Sequence, residues 1–579
     1  MKLVFDIETD GLGASVIWCI VAKDLEDNRL YTFDPSQIDE GIKLLEKADI
    51  LIGHNIVGFD IPVLKKLTNI SFKDKKVIDT LVLSRLANPE RDGHSLKAWG
   101  FKLNYHKGLM EEADFTEYSE KMMEYCINDV ELNALVFNTV LNELDGFDGR
   151  CIKIEHEVAD ILKKQENHGF LFNVAKADKL LATLRESKAN IECEVQKVFL
   201  PKKVKIKTVV PKFKKDGTLS KQGLTEDEFS CLVQRPKNNI LAFDRFKIQE
   251  FNLGSRKQIG EYLQEFGWKP KKFTPTGQPI VDEGTLKTVE DIPQAKLIAD
   301  FLMLQKRIAQ VESWFKYLGK DDRVHAFVIH NGAVTSRMSH VKPNLAQIPA
   351  SYSPYGKECR SCWIVPEGYK LVGIDASGLE LRMLAHYMND EEYTNEIING
   401  DIHTNNQRLA GLESRDQSKK FIYTFLYGGG DLKIAQVVGG NRRAGKELRG
   451  RFLRNLPSLA KLKERVERAS AKRYLKGLDG RRITIRSEHA ALNTLLQSAG
   501  AIVMKQALIN LNNKIKENDL DANFVANVHD EWQIEVAEGE AETLGKLGVE
   551  SIKQAGLDFN LRGPLDGEYN VGENWSETH

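Results

Sequence analysis

The sequence predicts a multi-domain α/β protein, on three observations. Its 579 residues suffice for roughly four domains at ~150 residues each. Two apolar, β-prone runs, at 2–9 and 371–375, carry acidic side chains, and the second passes through an Ala-Ser-Gly turn into a helical pattern over 379–388. From about Cys151 long helical patterns take over.

Composition narrows the class. Hydrophobic content of 42% is ample for globular cores. The net charge of −1, from 82 basic and 83 acidic residues, means that any nucleic-acid surface must be local. Seven scattered cysteines fit a reducing cytosol. The C-x-x-C from Cys359 to Cys362 has no second pair with which to hold zinc. No apolar run is long enough to span a membrane, and Asp6 and Glu8 come too early for a signal peptide. A cytoplasmic protein without membrane partners is expected.

The first strand places Asp6 and Glu8 two residues apart, on one face. Like charges on an apolar strand are costly unless neutralised, and a metal pair would do so; a solvated edge strand is the alternative. Asp60 stands just before a helical pattern at 61–67, and Tyr125 and Asp129 are spaced i, i+4 on one helical face. Asp79 reads as a helix cap. Helical stretches follow at 155–169, closing on Gly169, and at about 174–198. Residues 201–222 then hold eight lysines against one acid, Asp216. This basic, weakly structured segment is the strongest electrostatic footprint in the chain, either a nucleic-acid contact or a solvated loop.

Residues 331–337 and 343–349 are rich in amides and hydroxyls, with Arg337 among them; spacing alone reads them as turn chemistry. Asp375 ends its strand. In 524–536 two apolar runs flank His529-Asp530-Glu531, a strand, a turn and a returning strand. Asp375 and Asp530 would then meet across one sheet and could clamp two metal ions for phosphoryl transfer; a stray Asp on each of two core strands is the alternative. Arg415, Lys419, Tyr423 and Tyr427 recur at steps of four on one broad helical face, which Gly428–Gly430 terminates. Cations there would grip a triphosphate, and rings further along would stack on a base; a basic surface helix is the alternative. The stretch Gly440 to Lys446 has phosphate-loop spacing but continues with Glu447 instead of Ser or Thr, and reads as a helix start. Asn493 and Gln497 share one face of a long helix that opens at Glu488.

Taken in order, these motifs resemble DNA polymerase family A. The wording Asp375-Ala-Ser-Gly-Leu-Glu-Leu-Arg382 with Val528-His-Asp-Glu531 is most similar to the replicative branch found in T-seven-like bacteriophages. The resemblance implies an RNase H-like DEDD 3′→5′ exonuclease domain over 1–145, followed by a right-hand polymerase. Its thumb would span 146–330, with a lysine-rich insertion at about 200–252. Its palm would span 331–400 and 476–579, and its fingers 401–475.

The resemblance also implies roles. Asp375, Asp530 and Glu531 would be catalytic, with Asp375, Asp530 and the Ala376 carbonyl holding two Mg²⁺ ions that Mn²⁺ can replace. Asp6, Glu8, Asp60 and Asp129 would hold the exonuclease pair, and Tyr125 would orient the attacking water. His403, Arg415 and Lys419 would contact dNTP phosphates, with Tyr423 near the sugar, Tyr427 under the base, and Glu380 excluding a ribose 2′-hydroxyl. Thr335, Arg337, Asn344, Gln347, Asn493, Gln497 and His529 would contact DNA, chiefly through minor-groove acceptors that barely depend on sequence. Implied partners are primer–template DNA, dNTPs, a phage helicase–primase, a single-stranded DNA-binding protein and, through the thumb insertion, host thioredoxin; direct DNA contact by the lysines is the other reading of that insertion. Two further readings stay open. One is an exonuclease whose carboxy-terminal half only binds DNA. The other is a repair polymerase, which would be expected to carry a 5′-nuclease domain ahead of residue 1.

Overall fold

In the computed structural model, which describes every residue except 73, 106–114 and 290, the first acid-bearing run is the central strand of a five-stranded sheet. Strand β1 (Lys2–Thr9) lies between antiparallel β2 (Ile17–Asp24) and parallel β4 (Ile50–Gly53), with β3 (Leu30–Phe33) and β5 (Lys76–Asp79) outside them. Both faces of a central strand in a mixed sheet are covered, so Leu3, Val4, Phe5 and Ile7 are all buried. Helix α1 (Asp60–Leu67) starts on an acid. Helix α2 (Glu120–Glu143) is capped by Ser119, whose hydroxyl accepts from the Met122 N–H. Helix α3 (Gly149–His168) stops at Gly169, as its sequence implies.

Two compact units divide the chain: residues 1–174 with 317–579, and residues 175–316. The smaller is built on α4 (Val174–Val198) and α5 (Pro293–Phe315). Its core gathers Phe199, Phe251, Leu263 and Ile298. Here one expectation fails. Residues 202–209 are not weakly structured; they form β6 (Lys202–Val209), paired antiparallel with β7 (Phe243–Gln249). Val204, Ile206 and Thr208 alternate with the lysines, which is a strand period. The partner lies beyond an intervening helix, Glu226–Val233, where local reading does not reach.

In the larger unit, β8 (Tyr369–Ala376) carries the second acidic motif. After it come α6 (Leu379–Met388), α7 (Ile402–Ala410), α8 (Arg415–Leu426) and α9 (Arg442–Asn455), the last being the helix that the false phosphate loop begins. Helix α10 (Ala491–Glu517) precedes a hairpin of β9 (Ala522–Val528) and β10 (Glu531–Ala537). Helix α11 (Ala541–Asp558) and β11 (Gly567–Gly572) complete an antiparallel sheet in the order β9-β10-β8-β11. Helix α3 belongs to this unit, against α10 and β9. Gly373 in β8 is required by the carboxy-terminal segment, because a Cβ there would overlap the Thr578 carbonyl. Among the described residues no helix is long and apolar enough to cross a membrane.

Candidate active sites

Strand β8 presents Asp375 opposite Glu531 of β10 and Glu568 of β11. The β9–β10 turn is tight: His529 takes φ +59. The Ala376 N–H donates to the Asp530 carbonyl at 3.1 Å, which pins that turn against the end of β8. Asp375, Ala376, Asp530 and Glu531 are thereby brought together. Burial, then the charges of Asp530 and Glu531, push the Asp375 carboxyl up to about 7, with His579 opposing in part.

Gly378 takes φ +59 and lets the chain turn from β8 directly into α6. Glu380 in the first turn of α6 accepts from the Tyr427 hydroxyl at 2.9 and 2.8 Å, and from Arg337 Nη2 at 3.4 Å. Arg337, Glu380, Gln497, His529 and Asp530 line one narrow pocket of about 30 Å³. Asn493 lies one turn before Gln497 on α10, half-buried. Thr335 and Asn344 are half-buried and Gln347 is exposed. The Asn344 Oδ1 is buried with no hydrogen-bond partner among the described residues.

Helix α8 carries Arg415, Lys419 and Tyr423, and Tyr427 is its C-cap. The rings of Tyr423 and Tyr427 stack at 6.2 Å, and His403 of α7 lies 6.3 Å from Tyr423. Lys419 is exposed. Arg415 is already engaged, with Nε and Nη2 at 2.7 and 3.2 Å from Asp401. That pairing, with the Thr404 hydroxyl, drives Asp401 well below the usual carboxylate range. The same Asp401 caps α7.

At the other sheet, ligand atoms of Asp6, Glu8 and Cys126 lie within 4.8 Å of one another. The Ile7 N–H donates to Asp60 Oδ1 at 3.2 Å, which draws α1 onto β1. Burial raises the Asp60 carboxyl to about 7, against the hydrogen bonds from its own N–H and that of Ile7. Tyr125 and Asp129 stand one turn apart on α2, and with Asp6 they line a cleft of about 950 Å³. Asp79 is a cap, accepting from the N–H groups of Leu81, Asn55 and Val57.

The family model of DNA polymerase family A matches residues 226–577. The chain belongs to that family. Similar DNA-directed DNA polymerases come from Enterobacteria phage T3 and Escherichia phage T7, each 34% identical with both chains covered in full. This family A enzyme is a DNA-directed DNA polymerase resembling those of T7-like phages. The POL domain of Pol1 from M. smegmatis shares its fold, at a TM-score of 0.78 and 19% identity, covering all of this chain and 95% of the other.

Three features of this polymerase escaped sequence reasoning. The first is His579, whose Nδ1 lies 2.8 Å from Glu531 Oε2, while Trp575 Nε1 donates to Oε1 at 2.8 Å. Burial pushes Glu531 up, but the His579 hydrogen bond and the His579 and Arg360 charges outweigh it and hold the carboxyl low. The second is Cys126, whose Sγ is 3.6 Å from Asp6 Oδ2. Burial raises this thiol far above its usual range, so it acts as a donor to Asp6. The third is a fully buried cluster around Glu155. Its Oε1 is 2.6 Å from both Arg481 Nη1 and Lys505 Nζ, its Oε2 is 2.5 Å from His330 Nδ1, and Arg481 also pairs with Asp479 at 2.6 Å. Lys505 lines the polymerase pocket and His330 the amino-terminal cleft. No sequence spacing announces it, because its members lie far apart in the chain.

Proposed function

We propose that the chain is a replicative phage polymerase that proofreads, with one two-metal phosphoryl-transfer site at Asp375 and Asp530 and a second at Asp6, Glu8, Asp60 and Asp129. The carrying observation is the convergence of Asp375 and Asp530. Two carboxylates meet at the end of a buried strand, and neither has an ion-pair partner among the described residues. That is the donor set which hard divalent cations complete. Mg²⁺ bound there would lower the pKa of the primer 3′-hydroxyl and bind the triphosphate. The chain's own residues do the rest. Arg415, once released from Asp401, and Lys419 grip phosphates. The Tyr423–Tyr427 stack offers an aromatic face to base and sugar. Glu380, held by Tyr427, stands where a 2′-hydroxyl would enter. Arg337, Gln497 and His529, grouped at one pocket, hydrogen-bond the primer–template. The Pol1 structure described as a complex with DNA primer-template and dNTP supports these two partners.

The exonuclease half rests on the Asp6, Tyr125 and Asp129 cleft and on Asp60 bonded into β1, in a sheet of RNase H-like order. The lysines of β6 and the following turn are assigned to DNA backbone contact, with thioredoxin, helicase–primase and single-stranded DNA-binding protein as replication partners to be tested against it.

A primer with a mismatched 3′ end tests the whole reading. Wild-type protein with Mg²⁺ should trim and then extend it. Asp6→Ala should leave matched extension intact and stop trimming; Asp375→Ala should trim without extending. Persistent trimming by Asp6→Ala would refute the exonuclease assignment, and extension by Asp375→Ala the polymerase one.

A further inference from the structure

A further cleft, of about 720 Å³, opens between α1, α3 and α10, beside the amino-terminal cleft. Its volume is that of a small-molecule site. Five lysines from three helices border it: Lys65 and Lys66 of α1, Lys163 and Lys164 of α3, and Lys516 of α10. Two acids also line it, and each already has a cation: Glu157 pairs with Lys153 at 3.8 Å and Asp160 with Lys164 at 2.5 Å. Lys163 pairs with Glu166 at 3.1 Å. Lys66 is spent on the Gly13 and Ala14 carbonyls, which leaves its positive charge uncompensated. Among the described residues Lys65 and Lys516 have no carboxylate partner. The cleft therefore holds net positive charge. Burial and the nearby Lys164 and Lys65 charges depress the Lys516 ammonium, although Asp160 and Glu157 oppose them.

Beneath the rim the lining is apolar, with Val57, Ile61, Phe72, Ile161 and Ile509, and Asn167, Asn512 and Asn513 offer amides at the edge. A purely inorganic anion would leave that floor unused, and an uncharged apolar ligand would leave the lysines unused. A planar heterocycle on a phosphorylated sugar uses both, with the ring on the floor, its edge on the amides and its phosphate among the lysines. We propose that this cleft binds nucleotide phosphate, either as a free nucleotide or as one unit of a single strand. The wall formed by α3 separates it from the amino-terminal cleft, which shares Val57 and Lys163.

Photocrosslinking locates the ligand directly. The full-length protein, in EDTA, is irradiated with 4-thiothymidine monophosphate and, separately, with a short thymidine oligonucleotide bearing one 4-thiothymidine. Labelled peptides are mapped by mass spectrometry. Labelling within 57–77, 157–167 or 509–516 is expected. It should fall at least about tenfold, some 1.4 kcal/mol, in a Lys65→Glu/Lys516→Glu variant with an unchanged circular-dichroism melting midpoint. It should fall likewise in Asn513→Trp, which fills the mouth without changing charge. Labelling by the mononucleotide identifies a free nucleotide as the ligand, and labelling by the oligonucleotide alone identifies a strand. No labelling of these peptides by either probe, or labelling that both variants leave untouched, overturns the proposal.

Discussion

The Tyr427 hydroxyl donates to both carboxylate oxygens of Glu380, at 2.9 and 2.8 Å. Helix α8 thus ends on a ring bonded to the acid proposed above to exclude a 2′-hydroxyl. Glu380→Ala should open room for a 2′-hydroxyl and raise the rNTP/dNTP incorporation ratio at least about tenfold, some 1.4 kcal/mol of discrimination. Tyr427→Phe, which frees Glu380 without removing it, should raise the ratio less. Single-turnover incorporation measures both, and an unchanged ratio in Glu380→Ala removes that role.

His579 matters because Glu531 is buried and accepts from it. Deleting one partner of a buried charged hydrogen bond costs about 1–3 kcal/mol. In His579→Ala we expect the Glu531 charge beside Asp375 to lose its partner and disturb the carboxylate pair, with kcat lowered about tenfold or more and primer–template affinity unchanged. Pre-steady-state extension alongside DNA-binding anisotropy separates the two effects; equal loss in both would mean the tail acts on DNA binding.

The raised Asp375 pKa fixes the sign of a stability effect. Its folded-state pKa, about 7, lies above that of an unfolded aspartate. The stabilisation is full below the unfolded value and is lost as pH rises through about 7. Without divalent cations, Asp375→Asn should therefore melt above wild type at pH ~8, by about 1 °C per kcal/mol relieved in a unit of this size, and the gap should be clearly narrower at pH ~5, closing only below the unfolded aspartate value of about 4. Primer extension should vanish in the same variant. Calorimetry in EDTA at the two pH values checks it, and a wild-type advantage at the higher pH would contradict the assigned cause.

For the β6–β7 ribbon, extension of a primed single-stranded circle with a DNA trap is the informative assay. Lys203→Glu/Lys205→Glu/Lys207→Glu should shorten products severalfold and reduce the salt dependence of DNA binding by about one unit of slope per lost phosphate contact. Products that thioredoxin lengthens in wild type, and no longer in the variant, would assign the ribbon to that partner instead.

Legibility followed the range of the interactions. Asp375 and Asp530 could be paired from sequence because each sits in a local strand-and-turn signature, and the turn itself falls on His529 and Asp530 as the pattern implies. The bounds of the helix at Val174–Val198 and the cap at Asp79 were equally local. The ribbon was misread because a lysine-rich strand looks like a loop until its partner is known. Arg415 bonded to Asp401, Cys126 against Asp6, and His579 against Glu531 are meetings that only the folded chain makes.

The Glu155 cluster bears on how this enzyme can be recombined with its relatives. Its two carboxylates, guanidinium and ammonium are neutral in sum, and they come from α3, the 479–481 turn and α10. Replacing one member strands a buried charge at a cost of about 3–5 kcal/mol. A chimera whose junction separates residue 155 from residues 479–505 would keep that set neutral only where the relative supplies the matching groups, however well its surfaces were chosen. A junction that keeps the set whole therefore lies before α3, where Asp148 caps the helix in the open, and Glu155 travels with residues 479–505.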